Sequence, residues 1–126
     1  MSKQTEAKSF EKYNWNELPK EVVRQGVTRC GFAGEQVLMV MNWLEPGMQV
    51  NPHKHPFEQI VYIVKGTTLF HVGDEVVTAG PGDVIRIPPD VMHYAEPVGS
   101  ETVLNLDVFS PIRDDYRHLT AYQQKD

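Results

Sequence analysis

A second cysteine is missing from this chain, so no intrachain disulfide can form, and the lone Cys30 reads as a small buried apolar residue in a reducing compartment. No apolar run approaches the roughly 18 to 20 residues that cross a bilayer, and Met1-Ser2-Lys3-Gln4-Thr5-Glu6 lacks the apolar core of a signal peptide. The expectation is therefore a soluble, cytoplasmic protein with no membrane partner. An excess of basic residues is missing too. The formal charge is -5, with both signs interspersed, which leaves no basic face to neutralise phosphates and makes nucleic acid an unexpected partner. There is no Gly-x-Gly-x-x-Gly loop, no Walker sequence and no nucleophile elbow. A length of 126 residues suits one domain with a real core.

What is present is a rhythm of short apolar runs. Val37 to Leu44, Gln59 to Val64, Thr67 to Val72, Glu75 to Thr78, Val84 to Ile87 and Thr102 to Phe109 are rich in β-formers. Glu45-Pro46-Gly47, Val72-Gly73-Asp74, Ala79-Gly80-Pro81-Gly82-Asp83 and Pro97-Val98-Gly99-Ser100 supply tight reversals. The pattern predicts an all-β antiparallel barrel over 13–115. Residues 1–12 are polar and read as a flexible N-terminus. Between Tyr13 and Val23, Pro19 favours a short turn or strand packed over the barrel or a partner. Tyr116, Leu119 and Tyr122, spaced by three in the extension 116–126, predict a terminal helical turn. Short barrels expose sheet edges, and pairing with a second copy makes a homodimer the expected assembly.

The chemistry concentrates in His53-Lys54-His55-Pro56-Phe57-Glu58-Gln59 and in His93. Along an extended chain, side chains alternate faces, so His53, His55 and Gln59 point one way and Glu58 the other. Parity thus favours the neutral Gln59 over the charged Glu58 as a fourth ligand, although a bulge at Pro56 would exchange them. Imidazoles and an amide oxygen suit a divalent first-row ion, whether nickel, zinc, iron, manganese or copper. With a wholly neutral ligand set the ion's charge stays uncompensated, which predicts a small anionic or enolic ligand. His71 and His118 read as ordinary surface histidines.

The full spacing is Gly47, five residues, His53-x-His55, three residues, Gln59, six residues, Gly66; then Gly82, five residues, Pro88 and His93. It resembles the two motifs of the cupin superfamily, which implies a jelly-roll barrel with a metal centre. Asp90 stands where the second motif usually has glycine, and Asp tolerates the left-handed conformation required.

A second constellation, Asn105 to Asp115, places Asn105, Asp107 and Phe109 on one strand face. One reading leaves Arg113 paired at the surface with Asp114 or Asp115. The other puts Asp107 and Phe109 at the barrel mouth, with Asp107 moving a proton and Arg113 clamping a carboxylate. The ending Asp107-x-Phe109-Ser110-Pro111-x-Arg113-x-Asp115, taken with the histidine motif, resembles the KdgF-type cupins of pectin and alginate breakdown. That resemblance implies His53, His55, Gln59 and His93 on the metal, Asp107, Phe109 and Arg113 facing substrate, and ketonisation of a sugar-acid-like enol. The alternatives are a metal-dependent dioxygenase, for which Met39, Met41, Trp43, Phe57 and Ile63 would form an apolar cavity, and a non-catalytic module that binds a small ligand.

Overall fold

Nine antiparallel strands form two facing sheets in the computed structural model, which describes residues 10–124. Strands β1 (Glu21–Arg24), β2 (Val27–Ala33), β3 (Leu38–Leu44), β4 (Gln59–Lys65), β7 (Val84–Ile87) and β9 (Val103–Phe109) make a six-stranded sheet in the order β1-β2-β3-β9-β4-β7. Strands β5 (Thr67–Val72), β6 (Glu75–Ala79) and β8 (His93–Val98) make the other, in the order β6-β5-β8. Alternation decides what each strand buries. On β4, Gln59, Val61 and Ile63 point inward, while Ile60, Tyr62 and Val64 are exposed. The inward set joins Val27, Leu44, Phe70, Ile87 and Val103 in the core between the sheets.

Six of the nine strands coincide with the apolar runs of the sequence, and β1, β2 and β8 do not. Strand β2 is buried on both faces, so it shows no alternation. Val27 packs inside the barrel, whereas Cys30 and Phe32 meet Leu18, Met41, Tyr13 and Trp15 outside it. Gly31 interrupts β2 for a packing reason, since a Cβ there would stand 2.9 Å from the Leu119 Cβ. Strand β8 carries Pro97, which weakens a strand signal but is tolerated here on an outer strand of its sheet.

Both ends of the described chain close over the barrel. Trp15–Glu17 is a single 3-10 turn, with Asn14 and Glu17 forming a reciprocal capping box, and it leads into β1. The C-terminal segment Asp114–Gln123 is also 3-10, whose three-residue period explains the spacing of Tyr116, Leu119 and Tyr122. Leu119 is buried against Leu38, Val40 and Phe109, and the Tyr122 hydroxyl donates to the Gly31 carbonyl at 2.6 Å. Of the expected flexible N-terminus, residues 1–9 lie outside the described residues. No helix among the described residues is long and apolar enough to cross a membrane.

Candidate metal centre

His53 and His93 are brought together by backbone pairing. The His53 amide donates to the His93 carbonyl at 3.2 Å, and the His93 amide returns the bond at 2.9 Å. A second clasp comes from Asp90, whose amide donates to the His55 carbonyl at 2.7 Å. Asp90 makes that bond with φ at 63°, the left-handed conformation expected where a glycine is usual. The three ring nitrogens able to act as ligands, one from each of His53, His55 and His93, all lie within 4.8 Å of one another.

Each imidazole is set by a carbonyl of its own loop. Nδ1 of His53 donates to Asn51 O at 2.6 Å, that of His55 to Phe57 O at 3.0 Å, and that of His93 to Val91 O at 2.9 Å. A carbonyl oxygen only accepts, so Nδ1 carries the proton in each neutral ring and Nε2 presents a lone pair. Burial lowers the pKa of His53 and brings that of His93 down to about 4, which keeps both rings neutral near pH 7.

The lone pairs point at a common place. His93 Nε2 is buried with no hydrogen-bond partner among the described residues. His55 Nε2 lies 3.1 Å from Gln59 Oε1, and the Gln59 amide nitrogen is already donating to Asp107 Oδ1 at 2.8 Å. Two acceptors facing each other at that distance repel unless a positive centre lies between them. Turning the amide over would set its oxygen against the Asp107 carboxylate. The donor set therefore fits a divalent ion gathered by three imidazoles and one amide oxygen. Glu58 points outward, as parity requires, and pairs with Arg86 at 2.6 Å on the surface.

Asp107 sits behind Gln59. It also accepts from Asn105 Nδ2 at 2.7 Å and from Asn42 Nδ2 at 3.0 Å. Burial pushes its carboxyl up to about 6, although the Asn105, Gln59 and Asn42 amides and the nearby Arg113 all favour the charged form. Arg113 is itself buried, with only 7 % of its side chain exposed. Its fork is bidentate to Asp115 (3.1 and 2.7 Å), and its guanidinium lies 3.9 Å from the Tyr116 ring centre and 4.8 Å from those of Phe57 and Phe109. Arg113 is thus paired with Asp115, but buried in the cavity wall rather than at the surface, which corrects the surface reading of that residue.

A cavity of about 160 Å³ opens over these groups, with His53, His93, Gln59, Asp107, Phe109 and Arg113 in its wall. The structure corrects the apolar cavity expected for a dioxygenase. Met41 and Trp43 pack on the outer face of β3 against Cys30 and Leu18, Met39 lines a separate outer groove with Tyr13, and Ile63 is core. The inner face of β3 instead offers Asn42 and Leu44. Sequence reasoning missed Asn42, Arg24 and Arg29, which line the cavity together with Tyr116 of the C-terminal extension. Recognising β2 would have exposed Arg29 and Asn42, because the register sets these two directly opposite each other.

An antiparallel two-sheet barrel with this histidine cluster in its mouth is the architecture of a cupin. The chain belongs to that family: the family description of the cupin domain matches residues 42–109. Among solved structures it is similar to a RmlC-like cupin from Shewanella frigidimarina, with 25% identity and a TM-score of 0.75 over 86% of this chain and 96% of that one. It is also similar to KdgF from Halomonas sp., with 30% identity and a TM-score of 0.71 over 79% of this chain and 94% of that one, so it is a small cupin of KdgF-like type. A stretch of 58 residues is 31% identical to gentisate 1,2-dioxygenase from Haloferax sp., covering 46% of this chain and 16% of the dioxygenase.

Proposed function

We propose that this cupin is a metal-dependent, isomerase-like enzyme that ketonises a small enolic acid of sugar-acid type, with His53, His55, His93 and Gln59 as metal ligands. The observation that carries the reading is the shared amide of Gln59, whose oxygen faces His55 while its nitrogen holds Asp107. A divalent ion at those ligands would supply Lewis acidity toward a substrate oxygen. Asp107 moves the proton that ketonisation relocates from the enol oxygen to carbon, as C=C becomes C=O. A carboxyl near 6 and lodged in the cavity wall exchanges protons readily near neutral pH. The Nη1 atom of Arg113 has no partner among the described residues and is available to the substrate carboxylate, while Phe109 and Phe57 hold the guanidinium in place. A homodimer in the cytoplasm completes the proposal, and the exposed Ile60, Tyr62, Val64 and Val84 on the outer face of β4 and β7 support such pairing.

A second reading, oxygen-dependent cleavage of an enolic, diketone or aromatic substrate, is favoured by the dioxygenase similarity alone. The two separate in a single assay. Metal-loaded protein in D₂O, given a ring-opened unsaturated uronate, should place deuterium on carbon as the keto sugar forms, without consuming oxygen. D107N should slow that reaction by on the order of 10²- to 10⁴-fold while leaving metal stoichiometry intact. Oxygen uptake coupled to substrate loss, or deuteration unchanged in D107N, would sink the isomerase reading. Ligand binding without turnover would leave the non-catalytic module.

A further inference from the structure

Arg113 is not the only cation in the cavity wall. Arg24 on β1 and Arg29 on β2 line the same cavity, on the side where Tyr116 enters from the C-terminal segment. Their charge is only partly matched. Arg29 Nε donates to Glu21 at 2.8 Å with 16 % of the side chain exposed, and its guanidinium lies 4.5 Å from the Tyr116 ring centre. Glu21 is shared with His118 at 3.3 Å. Arg24 has no carboxylate partner among the described residues, and its one hydrogen bond runs from Nε to the Gln49 carbonyl at 2.7 Å. The terminal nitrogens of both forks are without partners among the described residues, and partial burial together with the nearby Arg29 guanidinium lowers the pKa of Arg24. Glu21 answers Arg29, Asp115 answers Arg113, and Asp107 is occupied by three amides. Arg24 is the cation left over.

We infer that Arg24 and Arg29 form a second anion subsite, so that the molecule bound here is a diacid, with one acidic end at the histidine cluster and Arg113 and a second carboxylate at the Arg24–Arg29 pair. Two forks with free terminal nitrogens can meet a carboxylate with charge-assisted hydrogen bonds, and the bound anion removes the repulsion between them. Partial burial strengthens that attraction over what it would be on the surface. The inference rests on the proposed metal-bound enolic or keto acid and adds a second carboxylate to it, so that a uronate, with its single carboxylate, would fill only the first of the two subsites.

The test uses cobalt(II)-loaded protein titrated with 2-oxoglutarate and with 2-oxopentanoate, which have the same five-carbon chain and differ in the second carboxylate, the cobalt spectrum reporting binding. Wild-type protein should hold 2-oxoglutarate about tenfold more tightly. R24Q should erase that preference while leaving 2-oxopentanoate unaffected, R29Q should reduce it, and R24K should keep most of it. Equal affinity for the two acids in wild-type protein, or an equal loss for both in R24Q, overturns the second subsite and leaves the metal-bound acid standing. A cobalt spectrum that responds to neither acid overturns both.

Discussion

The histidine floor of the cavity and its arginine rim are built in opposite ways. Each histidine is oriented by a carbonyl two residues away in its own loop, so the floor is specified locally. Two of the three rim arginines are set by distant groups, Arg29 by Glu21 and Tyr116 and Arg24 by Gln49, whereas Arg113 is held both by Asp115 two residues on and by the rings of Phe57, Phe109 and Tyr116. The floor presents imidazole lone pairs and the rim presents guanidinium groups. Gln59 and Asp107 join the two, because a single amide faces both an imidazole and the carboxylate.

Removing one histidine of the floor has the largest expected effect. H93A should weaken the affinity for a divalent first-row ion by at least 10³-fold, and chelation should no longer lower its melting temperature, as measured by equilibrium dialysis and calorimetry. A rim built on long-range contacts should fail differently. G31A drives a Cβ against Leu119, where the terminal 3-10 helix docks, and should cost about 1 to 3 kcal/mol in denaturant unfolding while leaving metal affinity within a factor of a few. The smallest effect belongs to D115N. Arg113 holds the Asp115 carboxyl below its ordinary value, so its contribution is complete above the unfolded carboxylate's pKa of about 4 and is lost as the pH falls through the lower folded value. More than half of the Asp115 side chain is exposed, so D115N should cost about 1 kcal/mol at neutral pH, with the difference from wild type shrinking on acidification.

The same contrast explains what the sequence made legible. His53 and His55 precede the strand and were legible from their spacing, whereas Gln59 could be read because β4 alternates from Gln59 onward, which leaves Glu58 outward against Arg86. Asn105, Asp107 and Phe109 were legible for the same reason, as alternate residues of β9. Arg24, Arg29 and Asn42 were not. Strand β1 is only four residues long, and β2 carries a glycine and is buried on both faces, so neither alternates clearly. The three-residue spacing of Tyr116, Leu119 and Tyr122 announces a helical turn, but spacing alone does not say which wall that turn covers. A register that pairs β2 with β3, and a helix that docks on Gly31, are tertiary facts that no short window holds.

On the function proposed above, the facing lone pairs of His55 and Gln59, with those of His53 and His93, enclose one cation. X-ray absorption on protein loaded with a single equivalent of zinc tests it most directly. Outer-ring scattering from three imidazoles, with an oxygen in the same coordination shell, is the predicted result. Two or fewer imidazoles, or zinc held elsewhere in a protein whose H93A variant gives the same spectrum, would contradict it.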